Sequence, residues 1–142
     1  MIEISYKKIL KFSPKNIYDI VADIESYSQF IPGCFSSKII SKEGNIIEAK
    51  LGVKYLIMSG EFTSRVTFDP RKLSIVSEGI NGPFNSVFTK WSFDRNDNGV
   101  LVKVSINLDL SNKVFELLLK KNLEKVFSQV VVSFEERADI LY

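Results

Sequence analysis

The C-terminal third of the chain constrains the fold most, because a strand there runs directly into one long helix. In Val100–Leu110, apolar residues alternate with polar ones, which is typical of a strand with one buried face. From Asn112 to about Ala138, apolar residues recur at i, i+3, i+4 spacing over roughly seven turns, and we expect Ser111 to cap this helix. A helix of this length must lie against an apolar surface. The sequence therefore predicts a curved sheet that grips the helix and leaves an apolar hollow between them.

The preceding residues predict one strand, two short helices and five further strands. Ile2–Phe12 alternates as a strand, and Ser13-Pro14 then begins an amphipathic helix that reaches about Ile24. Asp23–Phe30 forms a second helical turn, and Asn98-Gly99 favours a type I′ hairpin before the last strand. The remaining strands, antiparallel and separated by turn residues, are expected at Lys38–Lys42, Ile46–Tyr55, Glu61–Phe68, Leu73–Glu78 and Asn85–Asp94.

Composition and charge limit the class of protein. The 142 residues suit one domain, 1–142, and the 45% of hydrophobic residues support a core. A net charge of +2 is too small to favour DNA binding. Cys34 is the one cysteine, and no signal peptide or apolar run of ~20 residues is present, so we expect a cytoplasmic protein. A peripheral, transient contact with the inner membrane surface is compatible with this.

The residue types argue against catalysis. The sequence has no histidine, which excludes Ser-His-Asp and Cys-His chemistry and removes the commonest metal ligand. It also lacks a nucleophile elbow, a phosphate loop and a dinucleotide fingerprint. Nothing basic adjoins Cys34, so a buried and inert thiol is the favoured interpretation. We therefore expect a protein that is not an enzyme, with no catalytic residues and no metal site.

Two apolar groups are candidates for a binding site. Tyr27, Phe30 and Ile31 lie beside Pro32-Gly33, and a lid or exposed patch is as well supported there as plain packing. The helical stripe that contains Phe115, Leu118, Leu119, Leu123 and Phe127 could line a cavity, although core packing is favoured for most of it.

Several short motifs together resemble one family over essentially the whole chain. They lie at 18–27, 30–34, 62–66, 82–84, 91–93, 126–127 and 134–138, ending with Tyr142. In their order and spacing these motifs are similar to the coenzyme Q-binding and ribosome association toxin family. That family comprises START-like, polyketide cyclase-like proteins of the Bet v 1 superfamily. The sequence departs from the common family pattern at Ser28 and Gly33, where proline and tryptophan are frequent.

The resemblance implies an α+β helix-grip fold and a non-catalytic binding role. The main hypothesis is a carrier of coenzyme Q (ubiquinone) or a related isoprenoid lipid, which supports respiration or quinone biosynthesis and requires no cofactor. The alternative is a protein that binds the large ribosomal subunit and blocks subunit joining. On the main hypothesis we expect the following residues to line or gate the cavity: Tyr27, Phe30, Ile31, Phe84, Trp91, Phe115, Leu119 and Leu123.

The ribosome alternative requires a compact basic patch. Two runs of lysine supply candidates, one within 7–15 and one at Lys120, Lys121 and Lys125. Because the net charge is only +2, solvated charged faces are the favoured interpretation of both runs.

Overall fold

A computed structural model describes residues 1–55 and 58–142, without the side chain of Met58. The chain begins with a strand and a short helix, continues through a 3-10 turn at Ile24–Ser26, and ends with the long helix. The strands are β1 (Ile2–Leu10), β2 (Cys34–Glu43), β3 (Ile46–Tyr55), β4 (Met58–Asp69), β5 (Ser74–Asn81), β6 (Phe84–Asn96) and β7 (Gly99–Leu110). The helices are α1 (Pro14–Ala22), α2 (Tyr27–Phe30) and α3 (Lys113–Leu141).

The strands form one antiparallel sheet in the order β1-β7-β6-β5-β4-β3-β2. Consecutive strands pair with each other from β2 to β7, whereas β1 crosses to the far edge, where Ile2 lies opposite Leu108. Along β7 the even-numbered side chains point to the core, as the alternation predicts. Register shifts in β2, β5 and β6 mark bulges, which bend strands locally.

Helix α3 lies across β1 and β7 and also contacts α1. Phe134 and Ala138, in its C-terminal half, are buried in a core that includes Ile17 and Val21 of α1. Leu123, further towards the N-terminus of α3, is buried in a second apolar cluster with β1 and β7. This is the helix-grip arrangement that the sequence predicts. In the described part of the chain, no helix is long and apolar enough to cross a bilayer.

Local details at two turns differ from expectation. The prediction that Ser111 caps α3 is wrong: the Asn112 carboxamide oxygen accepts from the backbone N–H of Phe115 at 3.0 Å. The prediction of a type I′ turn at Asn98-Gly99 is also wrong. The loop residues are Asp97 and Asn98, neither of which has a positive φ. Gly99 is needed instead because a Cβ there would lie 2.1 Å from the carbonyl oxygen of Leu10.

The N-cap of α1 is confirmed. The Ser13 hydroxyl oxygen accepts from the backbone N–H of Asn16 at 3.2 Å, and Pro14 occupies the first helical position. The first strand, in contrast, ends at Leu10 rather than Phe12, and β5 continues to Asn81 rather than ending at Glu78.

Candidate functional site

The eight predicted cavity residues divide between two separate apolar clusters. Tyr27, Phe30, Ile31 and Trp91 pack against the cluster around α1, α2 and the C-terminal half of α3. The other four belong to the cluster around β1, β7 and the N-terminal half of α3: Phe84, Phe115, Leu119 and Leu123. The structure therefore does not bring all eight residues together around one cavity.

The first group surrounds Phe134. The ring centroids of Tyr27, Phe30 and Trp91 lie 5.5, 5.6 and 5.6 Å from that of Phe134, with their planes steeply inclined to it. Edge-to-face aromatic pairs at this separation stabilise a core beyond the area that they bury. Packing, one of the two interpretations from sequence, is thus what the structure shows here.

Polar contacts hold the α2 segment in place. The Tyr27 hydroxyl donates a hydrogen bond to the carbonyl oxygen of Val21, and burial raises the pKa of this phenol well above its usual value. The Arg137 guanidinium lies 5.2 Å from the centroid of the Phe30 ring and so joins α2 to the end of α3. The segment is not an exposed patch, while its role as a gate stays a prediction.

An apolar pocket opens at the junction between β7 and α3. Its volume is about 200 Å³, and of the eight predicted residues Phe115 lines it. The walls come from the end of β3, the start of β4, the β5–β6 turn and the first turn of α3. We call this the junction pocket, lined by Val53, Tyr55, Ser59, Gly60, Phe62, Pro83, Leu110, Ser111, Asn112 and Phe115.

Phe84 supports the pocket wall from behind. Its ring centroid lies 6.4 Å from that of Phe62, which lines the pocket, in an edge-to-face arrangement. A Cβ at Gly79 or at Gly82 would lie 2.5 or 2.6 Å from the Phe84 ring, so both glycines leave room for it. Gly60 differs from these, because a Cβ built there meets no atom within 4 Å.

Tyr55 lines both the junction pocket and a neighbouring hollow. The centroid of its ring lies 6.1 Å from that of the Phe115 ring, and the two ring planes are tilted to each other. The neighbouring hollow has a volume of about 230 Å³, and we call it the side hollow. Its other lining residues come from α3, and three of the four are polar: Asn122, Lys125, Val126 and Gln129. An apolar space and a more polar space thus adjoin along α3 and share Tyr55 as a lining residue.

Glu116 anchors the start of α3 to the sheet. Its carboxylate accepts from the backbone N–H of Leu110 at 2.8 Å and lies 3.4 Å from the Lys113 ammonium. The backbone N–H above all, then the N-terminal ammonium of Met1 at 3.0 Å and the Lys113 ammonium, lower the pKa of Glu116. Lys113 also pairs with Asp109, whose pKa it lowers. The wall of the junction pocket at Leu110 is therefore tied to the first turn of α3.

The thiol and the charged groups offer little reactive chemistry. Cys34 is buried, and burial raises the pKa of its thiol, as expected for an inert cysteine. Arg65 is exposed and lies 3.7 Å from Glu48. Within the described residues, the structure brings no three metal-ligating side chains together.

The first run of lysines is largely neutralised. Lys8, Lys11 and Lys15 form ion pairs with Glu135, Asp139 and Asp19 at 3.1, 3.4 and 2.7 Å. These three therefore belong to charged faces with both signs of charge, as favoured from the sequence.

A basic hollow lies instead on the outer face of the sheet. Lys7 of β1 is directly opposite Lys103 of β7, and Lys90 of β6 lies nearby. Together with Ser5, Ser92 and Ser105, these lysines line an open hollow of about 450 Å³, which we call the outer hollow. One of its charges is balanced, because Lys103 lies 3.4 Å from Asp94.

Comparison with known proteins establishes the family. The chain belongs to the polyketide cyclase/dehydrase and lipid transport family, whose model matches residues 10–135. It is 28% identical to a ribosome association toxin of Rickettsia prowazekii, over 97% of both chains. It is 30% identical to a mitochondrial coenzyme Q-binding protein of Xenopus laevis, over 99% of this chain and 59% of that one. The resemblance seen in the sequence motifs is thereby confirmed.

Solved structures confirm the START-like fold. A START superfamily protein of Mycobacterium smegmatis matches with a TM-score of 0.85 at 20% identity, over 99% of both chains. A Streptomyces aromatase/cyclase matches with a TM-score of 0.83 at 12% identity, over 97% of this chain and 93% of that one. At these identities the likeness establishes the fold and leaves the chemistry open.

Sequence reasoning missed most of the junction pocket. Val53 and Tyr55 end one predicted strand, Phe62 begins the next, and Pro83 lies in a predicted turn. Each of these residues reads as an ordinary strand or turn position. The available signal was that large apolar residues cluster at strand ends close to the start of the long helix, where sheet and helix diverge.

Proposed function

We propose that this protein is a non-catalytic carrier of coenzyme Q or a related isoprenoid lipid, which binds at the junction pocket. The observation that carries the proposal is an apolar pocket between sheet and helix, walled by Val53, Tyr55, Phe62 and Phe115. Small-molecule sites are concave and mostly apolar, with a few polar groups that fix orientation. The Xenopus laevis relative, named for coenzyme Q binding, supports this choice of ligand.

The size of the pocket indicates which part of the ligand it takes. About 200 Å³ is below the roughly 300–1,000 Å³ typical of small-molecule sites, so the junction pocket suits one segment of an isoprenoid tail. The quinone head would lie at the side hollow, where Asn122, Lys125 and Gln129 carry N–H donors for its carbonyl oxygens. Movement of the Tyr55 ring would join the two spaces.

A charge at the pocket mouth tests this placement. Val53 lines the pocket and is 37% exposed, so Val53→Arg is expected to fold and to weaken binding of a short-chain ubiquinone by at least about tenfold. Ile46→Arg on the same strand is the control, because Ile46 is 44% exposed and lies outside the pocket. Equal affinity in both variants and the wild type, measured by equilibrium dialysis, would show that the ligand binds elsewhere.

The bound lipid itself is identified from natively purified protein. Mass spectrometry of the organic extract should show ubiquinone or another isoprenoid lipid in near-stoichiometric amount. An empty protein that also fails to take up added ubiquinone would contradict the carrier proposal.

A second candidate function is association with the large ribosomal subunit. The observation that favours it is the outer hollow, where Lys7, Lys90 and Lys103 converge on one face. Lysines spaced in this way can contact successive backbone phosphates of RNA. The Rickettsia prowazekii relative, named as a ribosome association toxin, supports this candidate.

Sedimentation of ribosomes separates the two candidates. Added wild-type protein should reduce the intact ribosome peak and increase free subunits, and Lys90→Glu should abolish that effect. Lys72→Glu, a charge reversal in the exposed turn between β4 and β5, is the control. An unchanged intact ribosome peak across a range of salt would remove this candidate.

A further inference from the structure

Three large apolar side chains are exposed together on the first turns of α3. Val114, Leu117 and Leu118 are 73%, 58% and 45% exposed. Their spacing of three and four residues places them on one side of the helix. That side faces away from the sheet, since Phe115 and Leu119 of the same turns pack inward on the second apolar cluster. Scattered apolar residues are normal on a surface, but three adjacent ones form a continuous patch.

Lysines extend this patch along the helix. Lys121 lies four residues after Leu117 and Lys125 seven after Leu118, so both share the side of the apolar residues. Lys120 flanks them. Among the described residues these three lysines have no ion-pair partner within 4 Å, in contrast to Lys113 at the start of the helix. We call this surface the docking face: Val114, Leu117, Leu118, Lys121 and Lys125.

We propose that the docking face binds the surface of an anionic lipid membrane and brings the lipid site to the bilayer. Exposed leucines beside lysines on one side of a helix are the pattern of a helix that lies in the membrane interface. Anionic lipids attract the lysines, and the acyl boundary takes up the leucines. The proposal rests on the carrier function, since Lys125 belongs to both the docking face and the side hollow.

The alternative occupants fit this surface less well. A second copy bound through the same face would bring Lys121 and Lys125 close to their counterparts, with Glu124 as the one carboxylate between them, so the net interaction is repulsive. RNA would attract the lysines but would offer no apolar phase for Leu117 and Leu118. A lipid interface satisfies both kinds of side chain at once.

Vesicle sedimentation of the full chain tests the docking face. Wild-type protein should sediment with vesicles of phosphatidylcholine mixed with phosphatidylserine, and far less with phosphatidylcholine alone. Leu117→Gln with Leu118→Gln should lower this partition by at least about tenfold, and Lys120→Glu with Lys121→Glu by roughly 30-fold or more. The control is Ile140→Gln with Leu141→Gln, which replaces exposed apolar residues at the other end of α3.

Three results would overturn the proposal. The leucine variant and the lysine variant could both sediment with vesicles as strongly as the wild type does. The protein could instead bind RNA but no vesicles, or form a dimer that these substitutions abolish. The failure of the carrier function is distinguishable, because all four substitutions lie outside the lipid site. Variants that still bind ubiquinone in solution but transfer it slowly between vesicles support docking. A wild type that binds vesicles and never takes up ubiquinone would leave docking intact and contradict the carrier function.

Discussion

Filling the junction pocket at Gly60 should weaken ligand binding while it stabilises the protein. Gly60 lies within β4 and lines the pocket, and a Cβ there meets no atom within 4 Å. It shares the inward face of β4 with Phe62, since successive side chains of a strand alternate. Gly60→Val therefore places three carbon atoms in the space that we assign to the isoprenoid tail.

The two effects have opposite signs and calculable sizes. If three ligand carbons lose their site at about 0.8 kcal/mol each, binding weakens by about 2.4 kcal/mol, or roughly 50-fold. Glycine within a strand costs about 0.5–1 kcal/mol relative to alanine, and valine suits strands better still. For a chain of this size, each kcal/mol corresponds to a rise in Tm of about 2–4 °C.

The assay combines titration with a short-chain ubiquinone and thermal unfolding of the free protein. Thr67→Val is the control, because it adds a β-branched apolar residue on the exposed face of the same strand. Wild-type affinity in Gly60→Val would refute the assignment of the tail to this pocket. A variant that unfolds at a lower temperature than the wild type would refute the claim that the space beside Gly60 is open.

Three further predictions concern the walls of the site and the thiol. The lowered pKa of Glu116 means that its charge stabilises the fold above its unfolded pKa of about 4.3 and stops doing so as pH falls through the folded value. The free energy of urea unfolding of Glu116→Gln should therefore be lower than that of the wild type at neutral pH, and the difference should shrink in acid. A difference that does not change with pH would contradict this. Gly79→Ala should lower the free energy of unfolding by about 1–3 kcal/mol in the same assay, since its Cβ would meet the Phe84 ring at 2.5 Å. An unchanged free energy of unfolding would show that this ring lies elsewhere. Iodoacetamide should label Cys34 at least about tenfold more slowly in native than in urea-unfolded protein, and equal rates would show an accessible thiol.

Most of the fold could be predicted from the sequence because its signals are local and repeated. The alternation in β7 and the helical spacing in α3 each extend over many residues, so single exceptions do not obscure them. The wrong predictions occur where a single hydrogen bond or a single close contact determines the local structure. Asn112 rather than Ser111 caps α3, and Gly99 is required by the carbonyl of Leu10, which lies far away in sequence.

The site was less predictable because it depends on where two elements diverge. The stripe on α3 is equally apolar at Phe115 and Phe134, yet Phe115 lines the pocket and Phe134 is buried in a core. Nothing in the helical periodicity separates these two positions. The difference comes from the partners that the topology supplies: strand ends and a turn near Phe115, and the packed α1 and α2 segment near Phe134.

The pairing of β1 with β7 also has a consequence for how the chain folds. Strands β2 to β7 each have a neighbour nearby in sequence, but β1 pairs only with β7, where Leu10 lies opposite Val100. Contacts of such high sequence separation are slow to form, so we expect β1 to be the last strand to acquire structure. Pulse-labelled hydrogen exchange during refolding should show protection in β3–β6 first, and early protection of β1 would contradict this order. During synthesis, β1 emerges before β2 to β7 and has no partner until β7 leaves the ribosome, so its apolar face stays exposed while the strands between them are made.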